Sequence, residues 1–426
     1  MNILKDINEL VDVGILTEET ADKIQDYYKK KRISTPNGLF IVFGIIGAVL
    51  VGLGIIMIIA HNWDDLSRAS KTIFAFVPML IGQGLCGYAL LIKQESITWR
   101  ESSATFLFFA VGACIALISQ IYNMPGNLSS FLLVWMLLCL PIIYLMKSSA
   151  VSMLYLIGIT NYATEIGYGR NGSESYLYWL MLLLSLPHYY LLYKENPKSN
   201  FMVLHNWLIP ISIIIALGTI AKDVTELILP AYFSLFGLFY LIGEHSFFDK
   251  QKLRSNSYKI LGSLGTMILL LILSFDFFWK NLRSKEFDFN EVVISPEFIC
   301  ATIFTLLALG LLYLNMKNKT IKNISPVTPV FILFIVAFII GMYSSISILL
   351  INIFVFVLGI WTIREGERKD NFGVLNYGLL IITSLVVCRF VDIDLSFIFR
   401  GLLFVFVGIG FFLTNYWMLK KRRSND

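Results

Sequence analysis

The stretch LFIVFGIIGAVLVGLGIIMIIAHNWDDLSRASK, Leu39 to Lys71, decides how the rest of the chain is read. Up to Ala60 it is an uncharged apolar run of about 20 residues, enough at roughly 1.5 Å per residue to cross a hydrocarbon core of about 30 Å. A segment in lipid finds no water for its backbone polar groups, so it closes its own hydrogen bonds as a helix. The run then ends abruptly in His61-Asn62-Trp63-Asp64-Asp65. Trp63 suits a membrane interface, and Asp64, Asp65, Arg68 and Lys71 suit water. The density of hydrogen-bonding groups there exceeds what a membrane exit needs.

The composition extends that reading to the whole chain. Its 426 residues are 57% hydrophobic and 15% charged, with a mean hydropathy of +0.73, whereas soluble domains carry about 25% charged residues. A soluble enzyme is excluded. The expectation is an all-α, polytopic integral membrane helix bundle of about 14 transmembrane helices. They fall near 39–60, 73–92, 104–122, 128–146, 150–167, 175–193, 201–221, 224–242, 259–278, 297–314, 327–343, 345–363, 372–391 and 395–418. No signal peptide is expected, because a polar and mixed segment precedes a first run of full spanning length.

Charge placement supplies a topology. With a cytoplasmic amino terminus, Lys and Arg collect on the inner side, in clusters at 29–32, 250–254, 317–322, 364–369 and 420–423. The positive-inside rule expects that asymmetry, and it puts both termini in the cytoplasm.

Two domains follow: a cytoplasmic helical hairpin at 1–35 and the bundle at 36–426. In the hairpin, Ile3, Leu4, Ile7, Leu10 and Val11 have helical spacing, Gly14 ends that helix, and Thr17 caps a second with Glu18 and Glu19 in its first turn. Its basic end suits anionic headgroups, and residues 1–35 are also a possible docking site for a protein partner. In the bundle, LPIIYLMK at Leu140–Lys147 resembles LPHYYLLYK at Leu186–Lys194. That likeness suggests repeated two-helix hairpins, although Tyr, Pro and Lys gather at any membrane interface. Gly44, Ala48 and Gly52 form a small-residue stripe suited to helix packing.

Motifs for soluble chemistry fail in context. GQGLCG, with Gly82, Gly84 and Gly87, has the spacing of a dinucleotide fingerprint but lies inside a continuous spanning run, where glycines serve packing. The five cysteines form no Cys-x-x-Cys, and the four histidines form no metal-ligand spacing. No cofactor, metal site, catalytic residue or nucleic-acid partner is expected. His188 and His205 lie on consecutive runs, either as a proton-sensitive pair or as ordinary interfacial histidines. Asp392-Ile393-Asp394 has the form some sugar transferases use, without the nucleotide-binding domain that would give it that meaning.

Charges within spans carry more information, because they face a bundle interior or a wet cavity more cheaply than lipid. Glu165, Asp276, Arg389 and Arg400 all fall in the outer part of their runs. Together with the exits of neighbouring helices they suggest an outward-facing polar pocket built from His61, Asn62, Trp63, Asp64, Asp65, Gln120, Tyr122, Arg389, Asp392 and Arg400. The competing reading is a set of interfacial anchors, with Asp276 paired to Lys280 and Arg389 to Asp392.

GILTEETADKIQDYY, AHNWDDLSRASK and ISQIYNMPGNLSSFLLVWMLLCLPIIYLMKSSA also carry a resemblance. They are similar to the bacterial membrane proteins of the domain of unknown function 2157 family, across about residues 3–150. Asn62, Trp63 and Asp64 match one family motif, and Gln120, Ile121 and Tyr122 another. Ser119 and Asn123 stand where family members often have Gly and His, which argues against a histidine-dependent chemistry. The resemblance implies an integral membrane protein of a bacterial plasma (inner) membrane, with no established activity. The functional expectation is handling or transport of a small or lipid-linked solute through the outer pocket, with the arginines as anion partners. The alternative is a non-transporting scaffold or regulator acting through residues 1–35. An intramembrane transferase lacks a visible nucleophile.

Overall fold

The computed structural model describes residues 16–34, 38–61, 67–168, 176–222, 224–249, 255–285, 287–318 and 325–392, with isolated positions at 7, 11 and between 401 and 416. The described residues form helices and no strand. In order these are α1 (Glu18–Ser34), α2 (Gly38–His61), α3 (Arg68–Leu91), α4 (Ile97–Ile121), α5 (Leu128–Leu145), α6 (Ser149–Gly167), α7 (Tyr176–Glu195) and α8 (Asn200–Gly218). A 3-10 turn (Thr225–Leu227) leads into α9 (Ile228–Gly243) and α10 (Ser246–Asp249). Then follow α11 (Ser257–Ile272), α12 (Asp276–Ser284), α13 (Phe289–Ile294), α14 (Pro296–Asn318), α15 (Val330–Tyr343), α16 (Ile346–Arg368) and α17 (Phe372–Asp392).

Among the described residues, 8 helices are long and apolar enough to cross a membrane: α3, α4, α5, α8, α9 with its 3-10 turn, α14, α16 and α17. Helices α11 and α12 pass only as a pair and are bent by 74°. A helix occupies every predicted interval up to residue 391, but length and apolarity establish fewer spans than the sequence suggests. For three helices the shortfall has physical causes, while part of α2 lies outside the residues whose side chains are described. Helix α15 has 14 residues, α6 carries Asn161, Thr164 and Glu165, and the tyrosine hydroxyls of α7 dilute its hydropathy. The interval 395–418 and the first helix of the amino-terminal hairpin fall almost wholly outside the described residues.

Cap chemistry sets the helix ends. Ser67, Ser96, Asn127, Ser199 and Asn256 each accept a hydrogen bond from the backbone N–H three residues on, satisfying a donor that a helix start leaves open. At the other ends Asn123, Lys147 and Asp370 adopt positive φ of 48°, 46° and 49°. There the N–H groups of Met124, Ser148 and Asn371 reach back to the carbonyls of Ser119, Ile143 and Gly366 at 2.9, 3.1 and 2.9 Å. This left-handed stop absorbs orphan carbonyls and turns the chain within a few residues.

The chain divides into two compact units: residues 1–162 with 177–197, and residues 163–176 with 198–426. In the first, α4 is the buried element. Gly44 of α2 lies against Ser102 and Gly52 against Phe109, while Gly82 of α3 packs closely on Leu107. The small-residue stripe and the first glycine of GQGLCG are thus packing surfaces on α4. Trp135 of α5 donates to the Phe108 carbonyl at 2.9 Å. Glu101, 3% exposed, closes the start of α6: its carboxylate accepts from the N–H groups of Ser149 at 2.9 Å and Ala150 at 3.0 Å and from the Ser148 hydroxyl. A carboxylate at a helix amino terminus meets both orphan donors and the positive end of the dipole.

In the second unit α9 is central. Gly262 of α11 packs on the Tyr240 backbone of α9, and Phe233 stacks on Phe334 of α15. Helices α16 and α17 pack antiparallel, with Gly366 against Leu375, Gly378 against Ile363 and Gly359 against Ile382. That register, carried two turns further, sets Asn352 opposite Arg389.

Removing the Glu101 carboxylate strands the donors at the start of α6. Glu101→Ala is expected to lose at least about 2 kcal/mol and Glu101→Gln less, read as the thermal unfolding midpoint in detergent. Equal midpoints for both variants and the parent would contradict this account of the cap.

Candidate functional site

The second unit holds the site. Helix α11 stops at Ile272, Phe275 turns extended (φ −90°, ψ 154°), and α12 restarts at Asp276. A break in a spanning helix frees carbonyls that lipid cannot satisfy. Here side chains meet them. The Trp279 indole N–H donates to the Leu273 carbonyl at 2.7 Å, the Ser274 hydroxyl to Leu271 at 2.6 Å, and the Asn352 amide to Ser274 at 3.2 Å. Asn352 also donates to Ile348 on its own helix at 2.8 Å. Trp279 and Ser274 are fully buried.

Arg389 reaches the same break from α17. Its guanidinium donates to the Ser274 hydroxyl at 3.0 Å and lies 4.9 Å from the centroid of the Phe275 ring. Both of these partners are neutral. Asn352 and Arg389 then line a groove of about 620 Å³ whose other walls, Ser345 apart, are the apolar side chains of Ile348, Leu349, Ile353, Phe356 and Leu385. The Asn352 amide oxygen is buried there with no hydrogen-bond partner among the described residues. Asn352 and Arg389 thus border one groove whose walls are almost wholly apolar.

Two further cavities lack this combination. One of about 520 Å³ between α2, α3 and α4 is lined by Gly44, Ala48, Leu85, Trp99 and Phe106 among others, with no charged side chain. The other, about 390 Å³ near the end of α16, presents Arg364, Glu365 and Arg368, and Glu365 pairs with Lys369 at 2.6 Å.

The predicted pocket residues distribute unevenly. Arg389 is half-buried at the break. Asp392 ends α17 and His61 ends α2, with side chains outside the described residues, as are Asn62, Trp63, Asp64, Asp65 and Arg400 altogether. In the first unit Gln120 and Tyr122 are exposed at the end of α4, and the Tyr122 hydroxyl lies 3.2 Å from that of Thr72 at the start of α3. Asp276 pairs with Lys280 at 2.9 Å and Arg283 at 3.1 Å. The anchor reading is therefore right for Asp276. His188 lies 3.3 Å from the Ser149 hydroxyl, and His205 donates to the Phe201 carbonyl at 2.8 Å, each within its own unit. Ser149 and His188 form no hydrolase triad with Glu101, whose oxygens address Ser148 and the α6 amides. Among the described residues no group of three or more His, Cys, Asp or Glu is placed to hold a metal.

Ser274, Phe275 and Asn352 were not singled out in the sequence. A signal for Asn352 existed: it is the one amide in the apolar run from Ile346 to Trp361, and a lone amide in a span usually answers a partner. Ser274 and Phe275 gave none, because a break after an apolar run looks like a membrane exit.

The fold defines a helical membrane protein with several apolar spans. Residues 8–152 match a family described as "Predicted membrane protein (DUF2157)", in agreement with the resemblance carried by the Asn-Trp-Asp and Gln-Ile-Tyr motifs. No curated protein and no solved structure matches the chain.

If Trp279 closes the break, Trp279→Phe keeps its bulk but leaves the Leu273 carbonyl unsatisfied. The expected loss is about 1–3 kcal/mol, visible as a lower unfolding midpoint in detergent. A variant as stable as the parent would remove Trp279 from this role.

Proposed function

We propose that the chain is a multi-pass protein of a bacterial plasma membrane, with both termini cytoplasmic, that binds and handles a small or lipid-linked anionic solute at the α11–α12 break. The observation that carries the reading is Arg389, held at an interrupted spanning helix and lining a groove of about 620 Å³ with Asn352. A cation at this depth is costly and persists where it has a task. Interrupted helices are where membrane carriers gather their binding groups, because freed backbone and polar side chains converge there.

The guanidinium is the anion-recognising group, through charge-assisted hydrogen bonds. Asn352 ties α16 to the break through its amide nitrogen. The positive-inside distribution of Lys and Arg supports placing this end of α17 on the outer face.

The test is binding and flux of anionic solutes by purified protein in liposomes. Arg389→Gln is expected to lower binding at least about tenfold, or 1.4 kcal/mol, while Arg283→Gln, which alters only an ion pair of α12, leaves it unchanged. Equal binding by folded Arg389→Gln and parent protein defeats the reading.

A further inference from the structure

We infer that α12 and α13 form an interfacial element of the second unit, seated on the bilayer with Phe277, Phe289 and Ile294 in the zone where headgroups meet acyl chains. The bend supplies the placement. Helices α11 and α12 are bent by 74°, and spans tilt by about 20° from the membrane normal, so α12 lies nearer the membrane plane than the normal. Its inner side is fixed. Trp279 and Leu282 are buried, and the Trp279 ring packs on Gly341 and Phe338 of α15. Lys285, just past α12, pairs with Glu226 of the 3-10 turn before α9. The segment is thus strapped across one end of the unit.

Much of what it turns outward is apolar. Phe289 and Ile294 are 77% and 75% exposed, and Phe277 and Val293 are exposed as well. In water these groups would stay hydrated, whereas a membrane interface accepts aromatic and aliphatic side chains next to polar ones such as Lys280 and Asn290. Two neighbours set the level. Helix α14 starts at Pro296, is long and apolar enough to cross a membrane, and exposes Ile299, Ile303 and Leu306. Ile294, just ahead of it, continues a surface that faces lipid. Tyr343, 82% exposed, ends α15 two residues beyond the Gly341 that carries Trp279, where the aromatic belt of a membrane falls.

The partner is lipid of the adjacent leaflet, the outer one in the topology proposed above. Basic groups do not carry the contact, because Asp276 holds Lys280 and Arg283, and Glu226 holds Lys285. The seat is apolar and needs no anionic headgroup. The experiment therefore uses the full chain in nanodiscs of phosphatidylcholine alone, with a nitroxide amino acid encoded in place of Phe277, Phe289 or Ile294. The same label in place of Leu306 and of Glu95, both exposed, gives the lipid and water references. Power saturation compares collisions with oxygen, which enters lipid, and with a nickel chelate, which stays in water.

We expect oxygen to be favoured at all three sites, at depths shallower than Leu306. Phosphatidylcholine brominated high on its acyl chains should also quench Phe289→Trp more than it quenches the eight tryptophans of the parent. Collisions that favour the nickel chelate at the three sites, as at Glu95, would place α12 and α13 in water and overturn the inference. Spin–spin broadening that disappears on dilution with unlabelled chain would put a second copy on this face and overturn it too. Where a nitroxide disturbs the size-exclusion profile, Phe289→Trp decides, and quenching no greater than in the parent counts against the seat. None of these results depends on solute binding at Arg389.

Discussion

Inside a bilayer every backbone N–H and C=O needs a partner from the protein, and the second unit turns on how that requirement is met where α11 stops and α12 begins. The break exposes the carbonyls of Leu273 and Ser274, for which Trp279 and Asn352 supply the donors, and the Ser274 hydroxyl adds a second bond to Leu271. Those donors come from α12, α16 and the break, so local backbone chemistry dictates tertiary packing. Arg389 arrives because the glycine contacts between α16 and α17 fix a register that brings it beside Asn352. One unmet backbone demand thus links the bend, the helix pair and the cation.

The first unit meets the same demand differently. Its helices are continuous, and the polar groups at their ends are closed by serine, asparagine and glutamate side chains next to them. Glu101 is the extreme case, a buried carboxylate whose hydrogen bonds end at the start of α6. Its role is complete without a ligand. Arg389 instead borders a groove, with the Ser274 hydroxyl and the Phe275 ring among its contacts.

Much of the class was legible in the residues, and so was one residue of the candidate site. Uncharged runs such as Leu39–Ala60 leave a helix in lipid as the physical solution, and a helix does occupy 38–61. Helix starts were legible where Thr17, Glu18 and Glu19 stand together. Arg389 was legible because a cation in an apolar run needs a reason. The span count was not, because a window of apolarity does not distinguish a straight crossing from the 74° bend at Ser274. Nor were the partners of Arg389. Ser274, Asn352 and Arg389 are far apart in sequence, and only the antiparallel register of α16 and α17 brings the last two together. Asp276 looked like Arg389 in the sequence, yet Lys280 and Arg283 on its own helix occupy its carboxylate.

The interrupted span is the claim on which the account stands, and a distance measures it. Spin labels at Leu264 and Ser284, both exposed, sit on the two arms of the bend. For arms of equal length bent by 74°, the axial separation is about 24 Å, against about 30 Å for a single straight helix at 1.5 Å per residue. Pulsed electron resonance on the full chain in a lipid bilayer should give a distribution centred near the shorter value. A distribution centred near the longer one would mean that the helix runs through Ser274 unbroken and that the groove beside Arg389 is not built as described.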